Sequence, residues 1–107
     1  MHDFFGFLKI SGPENTVFLQ GQLPCDVQAL STNHSTITAY CNNQGRILSV
    51  LRIYKLLENS PDNFYYLLRL PQSLLSLIKI ELEKYGQFSD IHIEAIHNLS
   101  KIFFEDL

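Results

Sequence analysis

The chain has no tryptophan, one methionine, two cysteines and four prolines among its 107 residues. Cys25 and Cys41 are too few for the disulfide framework of a small secreted domain. Two reduced thiols are the expectation, Cys41 on a strand and Cys25 at a helix start, where a thiol's pKa can fall. No apolar run approaches the roughly 20 residues needed to cross a bilayer, so no membrane partner is expected. No basic start followed by an apolar stretch marks a secretory leader, and a cytoplasmic location follows as the expectation. Neither sign of charge dominates. A net charge of -3 gives no pull toward nucleic acid or anionic membrane, so no direct nucleic-acid partner is expected. The histidines, His2, His34, His92 and His97, lack HxxxH or HExxH spacing and have no cysteine at zinc-site distance, which argues against a metal site. Walker A, GxGxxG and GxSxG patterns are absent as well.

What is present reads as one globular domain. Hydrophobic residues make up 46% and charged residues 18%, a balance that can close a core at this length. Phe5 to Ile10 reads as a strand. Pro13, Glu14 and Asn15 open a helix with the apolar stripe Val17, Phe18 and Leu19, which Gly21 ends. Pro24 and Asp26 then restart the chain as a short helical turn over Asp26 to Leu30. Ser35 to Cys41 is rich in β-branched residues and predicts a strand. Asn42-Asn43-Gln44-Gly45 is a hairpin signal. Arg46 to Leu57 is apolar on both phases, the pattern of a strand covered on both faces. Phe64 to Leu70 is a further strand. After Pro71, Leu74, Leu75, Leu77, Ile78, Leu82 and Tyr85 recur at helical spacing, and Gly86 stands at the helix end as a C′ cap. Ser89 to Ile96 alternates, with Ile91, Ile93 and Ala95 on one side and His92, Glu94 and Ile96 on the other. The order predicts an α+β fold: a mainly antiparallel sheet with helices on one face, close to the ferredoxin-like split βαβ plan. The charged stretch Lys79 to Lys84 reads as a solvated helix face.

One stretch is more specific than composition. Phe18-Leu19-Gln20-Gly21-Gln22, followed by Asp26-Val27 and later by Gly45-Arg46-Ile47, resembles the FLQGQ-x-x-x-DV signature of the YgfZ-type folate-binding proteins. These are close relatives of the glycine-cleavage T-protein, an aminomethyltransferase. The resemblance runs from Leu8 to about Ser89. It takes in Ile10-Ser11-Gly12, Ala39-Tyr40-Cys41 and Leu51-Arg52, and it implies the fold of the T-protein first domain over residues 1–97.

That resemblance implies tetrahydrofolate as the ligand. In full-length relatives it also implies support of iron–sulfur enzymes, including one that modifies tRNA. In the aminomethyltransferases a glycine turn leads into a pair of aspartates beside the folate. Here the matching positions are Ser49 and Val50, which can neither act as a base nor hold an ammonium intermediate, so no catalysis is expected. A divergent aminomethyltransferase domain is the rival reading, and a stand-alone interaction module a third. The family's downstream Lys-Gly-Cys-Tyr-x-Gly-Gln-Glu motif has no counterpart, and Cys41 is not its cysteine.

Candidate ligand contacts divide by residue type. Arg52 sits mid-strand, on one phase with Arg46, Leu48, Val50 and Tyr54, and its guanidinium suits the glutamate tail of a folate. Arg46 beside the turn reads as exposed. Tyr40 offers a ring to stack on a pterin, or a core position with its hydroxyl at the edge. Gln20 and Gln22 flank Gly21 with amides, and Asp26 is either a contact or a cap. Residues 98–107 are expected to open a following domain or to exchange between protomers. Because several domains of the relatives line the folate together, this stretch alone is expected to form one wall, to bind weakly, and to self-associate through uncovered apolar surface.

Overall fold

The computed structural model describes residues 5–60 and 63–96. Five strands and two helices follow in the order β1 (Phe5–Ser11), α1 (Asn15–Gln22), β2 (His34–Cys41), β3 (Ile47–Ser60), β4 (Asn63–Pro71), α2 (Leu75–Tyr85) and β5 (His92–Ile96). A single 3-10 turn, Gln72–Leu74, leads from Pro71 into α2. The strands form one sheet in the order β2-β3-β4-β1-β5. Every neighbouring pair is antiparallel. The β4–α2–β5 unit is a split βαβ: β4 and β5 run parallel with β1 inserted between them. The extra strand β3 extends that plan on the other side, and the α+β class expected from the sequence is the one observed.

Both helices lie on the same face. Phe18 and Leu19 of α1 and Leu75, Ile78 and Leu82 of α2 pack on Leu8, Ile10, Leu51, Ile53, Tyr66, Leu68 and Leu70 of the sheet. Alternation of side chains along each strand turns these residues to one side and their neighbours to the other. Polar groups fix α1 on the sheet. The buried Asn15 side chain donates to the carbonyls of Ile10 (3.4 Å) and Phe64 (3.1 Å), and the Thr16 and Tyr66 hydroxyls share a bond of 2.8 Å. Burial raises the Tyr66 pKa, and the bond to Thr16 offsets part of that. Gly12 has a φ of 105°, and a Cβ there would stand 2.6 Å from the Asp90 carbonyl, so the turn into α1 admits only glycine.

The structure corrects several sequence expectations. Helix α1 begins at Asn15 rather than Pro13 and passes through Gly21, ending at Gln22. Asp26 to Leu30 is not helical. Two short-range bonds, from Ala29 and Leu30 back to Asp26 and Val27, close successive turns and then stop. Cys25 therefore has no helix N-terminus beside it; both cysteines are free and half-buried. Arg46 belongs to the hairpin turn, where the Asn42 side chain accepts from the Gln44 and Arg46 amides, and β3 runs on to Ser60. Gly86 is the C-cap residue with a φ of −97°, not a left-handed C′. It is small because a Cβ would meet Ile91 at 2.6 Å. Strand β3, expected to be covered on both sides, has helices on one side only. The segment 98–107 lies outside the described residues.

Candidate functional site

The helix-free face of the sheet is partly closed by its own side chains. Phe7, Leu56, Leu67 and Ile96 form a second buried cluster there, flanked by Tyr54 and Tyr65. Around it the surface stays open: Val50 is 61% exposed and Ile37 58%. Strand register aligns Ile37 with Arg52, Arg52 with Arg69, Arg69 with Phe7, and Phe7 with Ile96. Two arginines thus occupy opposed positions of β3 and β4 in the middle of an apolar row, with their guanidiniums leaning apart, toward Ser35 on β2 and Phe5 on β1.

Neither arginine has a carboxylate partner among the described residues. Arg52 donates from Nη1 to the Ser35 hydroxyl (3.0 Å). Arg69 lies over the Phe5 ring with its guanidinium carbon 4.5 Å from the centroid. Its Nε is buried and has no hydrogen-bond partner among the described residues. An unsatisfied buried donor on a charged group destabilises the fold unless something accepts from it. The other cation of this face is already matched: Lys9 sits 3.3 Å from Glu58 and 4.6 Å from the centre of the Tyr65 ring. Burial raises the Tyr65 hydroxyl's pKa; Lys9 works against that shift and Glu58 adds to it.

The sequence candidates do not converge on one place. Arg52 and Val50 lie on the helix-free face, since β3 alternates and the buried residues Ser49, Leu51 and Ile53 occupy the other phase. Tyr40 is opposite Ser49 in the β2–β3 ladder and so points to the helix side, where it is core. It also lines a concavity with Gln22, Glu81 and Tyr85. The sheet separates Tyr40 from Arg52. Gln20 braces the loop after α1: Nε2 donates to the Cys25 carbonyl (3.2 Å) and Oε1 accepts from the Gln28 amide (2.9 Å). The Asp26 carboxylate accepts from the Ala29 amide (3.3 Å). Ser49 is buried and donates to the Val50 carbonyl (3.0 Å).

Two residues escaped the sequence reading. Arg69 stood in an ordinary apolar strand, and only the register of β4 against β3 brings it to Arg52. Glu81 was grouped with a solvated helix face, whereas it is half-buried at the concavity. Lys79 and Glu83 pair at 2.7 Å on the solvated part of that face. Among the described residues no group of three or more His, Cys, Asp and Glu side chains is placed to hold a metal. No helix among them is long and apolar enough to cross a membrane.

Comparison with known proteins places this arrangement. The aminomethyltransferase T of the glycine cleavage system from Bartonella henselae superposes on 86% of the chain with a TM-score of 0.77, at 23% identity, using 24% of its own length. The fold is that of a T-protein-like domain. The tRNA-modifying protein YgfZ of Photorhabdus laumondii is 33% identical over 96 residues, 90% of this chain and 27% of the relative. The protein of the same name from Edwardsiella ictaluri is 36% identical over 86 residues, 80% of this chain and 24% of the relative. No family model matches the chain. By sequence it is a YgfZ-type domain, and it spans about a quarter of the length of the curated relatives it matches.

Proposed function

We propose that the helix-free face of residues 1–97 forms one wall of a tetrahydrofolate site in a YgfZ-type protein. Arg52 and Arg69 would hold the carboxylates of the glutamate tail. The observation that carries this reading is the pair of arginines at opposed positions of β3 and β4, neither with a carboxylate partner among the described residues and one with a buried Nε that has no partner among them. A dicarboxylate supplies a counter-charge for both and the missing acceptor together, and bidentate geometry favours guanidinium for that role. Val50 supports the same face. It stands where the aminomethyltransferases resembling this chain carry an aspartate beside folate, two residues from Arg52 and with its side chain on the same side.

The chemistry on offer is binding rather than group transfer. Val50 is apolar, and the Ser49 hydroxyl is turned into the core and bonded to a backbone carbonyl, so neither can take a proton from an amine. The reading extends to the relatives' context: a cytoplasmic protein that supports iron–sulfur enzymes and tRNA modification through folate. The name those relatives carry, tRNA-modifying protein, favours that context over aminomethyl transfer.

Calorimetry of the chain with tetrahydrofolate, and with tetrahydropteroate lacking the glutamate, tests this assignment. Binding weaker than micromolar that drops about tenfold without the glutamate is expected for one wall carrying an arginine pair. Equal affinity for both compounds contradicts the role of the arginines. Micromolar or tighter binding by this chain contradicts the single-wall reading.

A further inference from the structure

The helix-covered side of the sheet holds a concavity that the folate reading leaves unused. Its volume is about 440 Å3, and it lies between Gly21–Pro24, the end of β2, and Glu81 and Tyr85 of α2. That size is within the range of small-ligand sites, about 300–1,000 Å3. Three of its features leave room for a ligand. Tyr40 is only 2% exposed and lines the cleft, and its hydroxyl, which has no protein hydrogen-bond partner among the described residues, is not a buried unsatisfied group and so is open to solvent. Glu81 is half-buried and forms no ion pair among the described residues; Lys79 is engaged by Glu83, and the Lys84 ammonium lies 5.7 Å from the centre of the Tyr85 ring. Gly21 sits inside α1 without a positive φ, and nothing lies within 4 Å of where its Cβ would stand. Alanine would stabilise the helix there, whereas glycine keeps the lip of the cleft clear.

The polarity of the cleft is one-sided. Among the described residues no basic side chain lines it, while a carboxylate and two phenols do. Burial first, then the charge of Glu81 and the neighbouring Tyr85, push the Tyr40 pKa up to about 12, so its hydroxyl stays protonated and neutral. We infer that this cleft binds a guanidinium group, with Glu81 as counter-ion and Tyr40 and Tyr85 as aromatic walls. A planar guanidinium presents paired N–H donors to a carboxylate and stacks on aromatic rings. Its remaining donors reach the free oxygen of Tyr40. A compact ammonium matches fewer of these groups.

The test is an amide-shift titration of the whole chain with butylguanidinium, with butylammonium, and with a blocked Gly-Arg-Gly peptide. Saturable shifts at Gly21, Tyr40, Glu81 and Tyr85 are expected with butylguanidinium, at least about threefold tighter than with butylammonium. Glu81→Gln should weaken binding about tenfold and Tyr40→Phe about threefold, while Glu83→Gln leaves it unchanged. Gly21→Leu, which fills the lip without touching the carboxylate, should abolish it. Tighter binding of the peptide than of butylguanidinium supports the site and identifies an arginine side chain of a protein as the source. Equal or weaker peptide binding supports it with a free guanidino compound. Absence of saturable shifts, equal affinity for the two cations, or full affinity in Glu81→Gln overturns the inference.

Discussion

The two faces of this sheet are built from alternate residues of the same strands, yet they are different kinds of surface. The helix side is a closed core in which fifteen residues form one buried cluster under two helices. The other side buries four residues, with aromatic rims, and leaves Val50 and Ile37 open to solvent. Charge follows the same division. Among the described residues, the helix-free face carries two arginines with no carboxylate partner in its middle row, and the helix side offers a carboxylate and a phenol without partners at its margin. A layer of helices settles stability; the bare layer carries the arginine pair proposed above to hold a ligand.

Adjacent leucines on β4 test that contrast most strongly. Leu67 and Leu68 are equally buried but point to opposite faces. Truncating Leu68 to alanine leaves a cavity between sheet and helices and should cost about 3–4 kcal/mol in denaturant unfolding. Leu67→Ala should cost about 2 kcal/mol, because its neighbours can relax toward the open side. Equal losses would break the distinction.

Alkali should act next. The folded-state pKa of Tyr40 is raised from 10.0 to about 12, so above pH 10 the unfolded chain loses a proton that the folded chain retains. The stabilisation is complete below pH 10 and is lost as pH rises through about 12, on the order of 2 kcal/mol. Tyr65 and Tyr66 shift in the same direction. Stability measured across this range should fall steeply, and Tyr40→Phe should flatten the slope while leaving the part due to the other two. A slope unchanged in Tyr40→Phe would remove Tyr40 from the account.

Smaller effects sharpen the comparison further. Gly21→Ala should raise stability by about 0.5–1 kcal/mol, since the position is helical and open. A loss instead would mean that the glycine serves the fold. Arg69→Met should be neutral or stabilising by up to about 1 kcal/mol, because it removes a charge and a buried donor that have no acceptor among the described residues. A clear loss of stability would show that Arg69 is structural, and would weaken its assignment to a ligand.

Much of the fold was legible in the residues. The leucines of α2, the β-branched run of β2 and the alternation of β5 are local patterns, and each predicts its element. Legibility ended where distance along the chain mattered. Arg52 was visible as a mid-strand guanidinium, but its pairing with Arg69 depends on the β3–β4 register, which no single segment encodes. Tyr40 and Arg52 looked like partners in one site, and the pleat sends them to opposite faces. Gly21 looked like a helix end because glycine usually is one; here packing of Phe18 and Leu19 carries the helix past it.

The most direct test of the central claim is a map of amide shifts in the isotopically labelled chain as tetrahydrofolate is added at high concentration. Shifts gathered on Val50, Arg52, Tyr54 and Arg69, and lost in the Arg52→Ala and Arg69→Met variants, are the predicted result. Shifts gathered instead on Gln22, Tyr40 and Tyr85 would put the ligand on the helix side and contradict the account.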